Sequence, residues 1–151
     1  MKNTFRTIAT MLVLSLSSAA LAGSNDIIVE KPWSRATIGT ARPGVAYMII
    51  RNDGSTPVTL SALRTEGARM AQIHQTSTNE QGVSSMAPAG DIVIQPGAFV
   101  ALEPGGLHAM LMNLQQPLAE GSSFSLVLGF KDGEVSIDVP VLGFAARGPE
   151  E

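Results

Sequence analysis

Glycine and proline punctuation constrains the fold of this chain more than any other feature. All 15 glycines and all 9 prolines lie beyond residue 22, and they cut the remainder into apolar pieces at 46–52, 58–63, 70–76, 91–94, 99–102, 107–114, 123–130 and 134–141. These are strand lengths, and no run of helical period lasts three turns. In the last piece Val135, Ile137, Val139 and Val141 alternate with Ser136, Asp138 and Pro140, which predicts a strand with one face buried. Turn residues separate the pieces, at Asn52-Asp53-Gly54, Pro96-Gly97, Pro104-Gly105-Gly106 and Lys131-Asp132-Gly133; the last of these, between two alternating runs, predicts a hairpin. The stretch 66–75 tolerates a helical turn, but Ala71 and Ile73 alternate with Gln72 and His74, so a strand is expected. Seven to nine short strands at this spacing define an all-β chain, either a two-sheet sandwich or a small barrel. The 151 residues suffice for one such domain.

The first 22 residues are of another kind. Lys2 and Arg6 precede an apolar run at 8–16, and small residues follow to Ala20-Leu21-Ala22. This is the three-part pattern of a secretory signal peptide, cut after Ala22. The apolar run is broken by Thr10, Ser15, Ser17 and Ser18 and falls short of the roughly 20 residues that span a bilayer. Export to the periplasm without a stable membrane anchor is therefore expected, with residues 23–151 forming a single domain. No cysteine follows the cut, so a lipid-anchored terminus is not expected either. The tail at 145–151 reads as a frayed polar end.

Composition removes several kinds of chemistry. Without Lys2 and Arg6, 8 basic side chains face 13 acidic ones, which argues against nucleic acid as a partner. Cysteine is absent, and with it thiolate catalysis, Cys-ligated zinc, iron–sulfur clusters and the blue-copper type of electron carrier. No Gly-x-Ser-x-Gly motif or ordered Ser-His-Asp context appears, so no enzyme is expected. The two histidines, His74 and His108, are the remaining centres of interest. His108-Ala109-Met110 lies in the run LHAMLMNL, where residues two apart share a face about 6–7 Å apart at Cα. Met112 continues that face. His74 and Met86 sit on separate segments, and only tertiary pairing brings them to His108. Imidazole with neutral, soft thioether sulfur favours Cu(I) over zinc, magnesium or calcium, and thioethers form no disulfides in an oxidising compartment. Met48 and Met70 read as core filling. A plain structural sandwich, with both histidines incidental, is the alternative.

The spacing of these residues adds to the argument. Eleven residues separate His74 from Met86, 21 separate Met86 from His108, and one separates His108 from Met110. This resembles the H(M)-x10-M-x21-H-x-M signature of the periplasmic copper(I) chaperones of the PCuAC type, with Gln75 in the place of the variable methionine. Trp33-Ser34-Arg35-Ala36, the run AYMIIRN, Gly82-Val83 and the stretch PGGLHAMLM resemble further landmarks of that family. The resemblance implies a cupredoxin-like β-sandwich of Greek-key, small-barrel form. It also implies one Cu(I) held by His74, Met86, His108 and Met110. The partner it implies is a copper acceptor such as a cytochrome c oxidase subunit or another copper chaperone; a monomer is the default expectation, with no sequence feature deciding it. A periplasmic copper-buffering or resistance protein is the variant of this reading. The tail carries no His or Met, unlike the metal-binding extension of some relatives.

Overall fold

The computed structural model describes residues 24–149; the expected leader at 1–22 lies outside them. A short 3-10 turn, Ser24–Asp26, leads into ten strands: β1 (Ile27–Arg35), β2 (Gly44–Asn52), β3 (Val58–Arg64), β4 (Ala68–Thr78), β5 (Ser84–Pro88), β6 (Ile92–Ile94), β7 (Phe99–Leu102), β8 (Leu107–Leu114), β9 (Ser123–Phe130) and β10 (Gly133–Leu142). Seven strands close into a barrel in the order β4-β8-β2-β1-β10-β9-β3, sealed where Leu63 of β3 pairs with Ala71 of β4. The remaining three are additions: β5 lies outside β4, β6 pairs with β3, and β7 pairs with the second half of β2. Among the described strands only β1 and β10 run parallel. The cupredoxin-like, all-β expectation is met by this closed form.

Alternation places the core. Ala46, Met48 and Ile50 of β2, Ala109 and Leu111 of β8, Ile73 of β4, Leu126 and Leu128 of β9, and Val139 and Val141 of β10 point inward and are buried. Burying each of the larger of these side chains contributes about 1.5–3 kcal/mol. The 3.6-period alternative for 66–75 loses because one face of β4 must line this interior. The Lys131-Asp132-Gly133 turn joins β9 to β10, with Phe130 paired to Gly133.

Two expectations need correction, the strand count and the tail. Ten strands form rather than seven to nine. β1 escapes a periodicity reading because Pro32 and a register shift between Glu30 and Trp33 break its alternation, with Lys31 at φ 47°. β5 escapes it because all five of its residues are exposed and only pairing with β4 makes it a strand. The tail is not wholly frayed: the Arg35 Nε–H donates to the Ala146 carbonyl at 2.7 Å, and the Ala146 N–H donates to Gly143. Among the described residues no helix is long and apolar enough to cross a membrane.

Candidate metal centre

The antiparallel register of β4 and β8 sets His74 directly opposite His108. Paired residues of neighbouring strands point to the same side, and Ala109 and Ile73 next to them point into the core, so both imidazoles stand on the outer face. The ring centroids are 6.2 Å apart and the planes meet at 67°. Gln72 pairs with Met110 one rung along, and Thr76 pairs with Met86 across the β4–β5 ladder. Met86 and Met110 therefore share the face of the two histidines. Of the four, Met86 is the exposed member, at 59%, while the two rings are buried.

The local chain explains how His108 is held. The Pro104-Gly105-Gly106 turn, with Gly105 at φ 84° in the left-handed region that glycine adopts freely, delivers the Gly106 carbonyl to two donors. The Thr76 N–H reaches it at 3.1 Å and His108 Nδ1 at 3.2 Å. A carbonyl only accepts, so Nδ1 carries the proton and Nε2 is left with its lone pair. That His108 Nε2 has no hydrogen-bond partner, and neither ring nitrogen of His74 has one, although all three atoms are buried. Buried polar atoms are rarely left unsatisfied, because each costs about 1–3 kcal/mol. Two facing rings with unpaired nitrogens are what a metal site looks like before the ion is counted, and the 6.2 Å centroid separation leaves room for an ion bonded to each ring at about 2.0–2.1 Å. Among the described residues no three His, Cys, Asp or Glu converge. The donor set of this face is thus imidazole and thioether, which suits Cu(I).

An aromatic pair stands on the same outer face, on the β2 side, and the sequence reading did not assign it to the site. Tyr47 follows Ala46, the last β2 residue paired to β8, and like His108 it falls on the outward set of its strand, between residues that point into the core. Trp33 of β1 pairs with Tyr47, their rings 4.6 Å apart and tilted by 38°, and both are buried outside the core cluster. The Arg35 guanidinium lies 5.7 Å from the Trp33 ring and 5.8 Å from the Tyr47 ring. The available signal was Tyr47 itself, a large side chain at a position where alternation calls for an exposed one. Burial pushes the Tyr47 phenol above its usual value of 10, against the opposing pull of the Arg35 charge. The folded chain thus holds this proton more tightly than the unfolded one. Its contribution is complete below about pH 10 and is lost as pH rises past that value through the higher folded pKa. Tyr47 is the sole tyrosine, so phenolate absorbance reads it alone: the native midpoint is expected above that of the urea-unfolded chain, and coincident midpoints would refute a buried phenol.

Closed barrel and His/Met face together make the chain a structural homologue of the PCuAC-type copper-chaperone domains. The "Apo PCuAC domain from PmoF1" superposes with a TM-score of 0.65 at 30% identity, covering 78% of this chain and 94% of that one. The "Copper-bound PCuAC domain from PmoF2" gives 0.64 at 27% identity, covering 78% and 93%. By sequence, residues 27–141 match the family described as "Putative lipoprotein LpqE-like". A protein of Leifsonia xyli subsp. xyli (strain CTCB07), named "Putative lipoprotein Lxx21020", is 31% identical over 123 residues, 81% of this chain and 73% of that relative. The chain belongs to the LpqE-like family.

Proposed function

We propose that this chain is an exported copper(I) carrier without catalysis, taking one Cu(I) between His74, Met86, His108 and Met110 and passing it to an acceptor protein. The observation that carries this reading is the pair of buried, facing imidazoles with three unpaired nitrogens on a face that also presents thioethers. The copper-bound homologue supports the choice of metal, and the lipoprotein names of the sequence relatives support export; the signal-peptide pattern at 1–22 points to the periplasm. The exposed Met86 is the ligand an acceptor meets first. An incoming soft ligand binds the ion as a thioether leaves, with no change of oxidation state and no proton moved. A carrier whose ligands are neutral and exchangeable suits an oxidase copper site as recipient, and delivery to such a site is part of the proposal.

Anaerobic titration with Cu(I) against a competing chelator tests the site. Stoichiometric uptake is expected, lost in His108→Ala and weakened in Met110→Ala. Removing even a group that only orients a metal ligand costs about 10–100-fold in affinity, and loss of a ligand should exceed that. Unchanged uptake in both variants would remove the site.

A further inference from the structure

The described residues include five methionines, and only Met48, at 2% exposure, fills the core. Met70, read from the sequence as core filling, is 47% exposed. The register explains why: Met70 of β4 pairs with Met112 of β8, two residues beyond the Gln72–Met110 pair and four beyond the His74–His108 pair. Three successive rungs of one outer face therefore read His/His, Gln/Met and Met/Met. Met112 is half-buried and Met70 also lines an open groove of about 930 Å³, so the outermost rung is reached from solvent.

Packing does not account for an exposed Met70 set opposite a half-buried Met112, in register with a copper-type site. Directly opposed residues of an antiparallel pair have Cβ atoms about 4.5–5.5 Å apart, and methionine side chains are long and unbranched enough to bring both sulfurs onto one ion. Each rung lies roughly 6.6–7 Å from the next on the same face, a distance that flexible thioethers on both rungs can bridge.

We propose that Met70 and Met112 form a second, weaker Cu(I) site, joined through Met110 to the His/Met centre. Two neutral sulfurs without imidazole hold the ion loosely. Transfer proceeds as a bond from copper to the Met110 sulfur forms and the bond to Met70 or Met112 breaks. The copper remains monovalent throughout, and no proton or electron is exchanged. The pair thus serves as a loading station, on the solvent side of a centre whose rings are buried. This rests on the proposed function, since a face that binds no copper needs no loading station.

The two claims separate in one experiment. The protein is labelled at its methionine methyl carbons and titrated anaerobically with Cu(I) supplied as its acetonitrile complex, followed by proton–carbon correlation spectra. The Met86 and Met110 methyl signals are expected to shift with the first equivalent. Those of Met70 and Met112 shift beyond it, and Met48 stays fixed throughout. In the Met70→Leu/Met112→Leu variant the later phase disappears while uptake of the first equivalent is retained. If the Met70 and Met112 signals stay still while Met86 and Met110 move, the second site is overturned and the carrier reading stands. If none of the four moves, both fall.

Discussion

Replacing His74 by leucine is expected to stabilise the apoprotein and to abolish its tight Cu(I) uptake. Both ring nitrogens of His74 are buried without a partner. A neutral imidazole in that position leaves one donor and one acceptor unsatisfied, at about 1–3 kcal/mol each. Leucine fills similar space with no polar atom, so the apo form should gain about 1–3 kcal/mol, allowing for imperfect repacking. At this chain length that raises Tm by several degrees, on the order of 2–8 °C per kcal/mol. Copper inverts the order: wild type gains about 2.7 kcal/mol when Cu(I) stands at 100 times its Kd, whereas the variant gains nothing. His108→Leu should show a smaller apo gain, because that ring already donates from Nδ1 to the Gly106 carbonyl and leucine loses the bond. Calorimetry under anaerobic conditions, with and without Cu(I), reads all three proteins. A histidine kept for packing behaves oppositely, and a destabilised apo His74→Leu with intact copper binding would end the assignment. Functional sites commonly hold such unfavourable groups at the expense of stability.

How much of this was legible in the sequence follows from how local each feature is. The strand β8 was readable to the residue, because the Pro104-Gly105-Gly106 turn, the alternation of Ala109 and Leu111 with Met110 and Met112, and the end at Leu114 all lie in one short stretch. That His108 and Met110 share a face follows from the pleat alone. The meeting of His74 with His108 does not, since it depends on which strands neighbour one another and in what register, and only the spacing resemblance pointed to it. The strand β5 carries Met86 but buries nothing, so hydrophobic patterning has no hold on it. The two methionines that local reasoning treated alike separate for the same reason. Met48 falls on the inward set of β2, while Met70 falls on the outward set of β4, and which set is inward is settled by the barrel's closure. Of the aromatic pair, Tyr47 stands on the readable strand β2, while Trp33 stands on β1, whose bulge hid its place from a period-based reading.

At the far end of β2 from the metal-binding face, Asn52→Ala is expected to cost about 2–5 kcal/mol of stability, a large part of the 5–15 kcal/mol typical of a domain. Asn52 is fully buried. Its Nδ2 donates to the carbonyls of Thr56 at 2.8 Å and Ile94 at 3.0 Å, and its Oδ1 accepts from the Gly54 N–H at 3.0 Å. Its backbone bonds Ala98 and Gly97. The side chain thus ties β2, the link to β3 and the end of β6, while the backbone of the same residue holds the turn before β7. Alanine strands the buried Ile94 carbonyl and removes two further bonds whose partners are more open to water. Asn52→Asp keeps shape and acceptor but turns a carboxylate oxygen toward two carbonyls, so at neutral pH it should be at least as damaging. Acidification restores one donor on the protonated acid, and the folded state then holds that proton more tightly than the unfolded one. Stability of the Asp variant relative to Ala should therefore rise as pH falls. Urea unfolding at neutral and mildly acidic pH measures both, and a Tm or midpoint near wild type for either variant at neutral pH would show that the knot is dispensable. Cu(I) should still raise the stability of each folded variant, because β2 meets β8 only at Gly44 to Ala46 and meets β7 beyond Tyr47. The Asn52 anchor and the segment of β2 that meets β8, the strand of the proposed copper ligands His108 and Met110, lie at opposite ends of one strand.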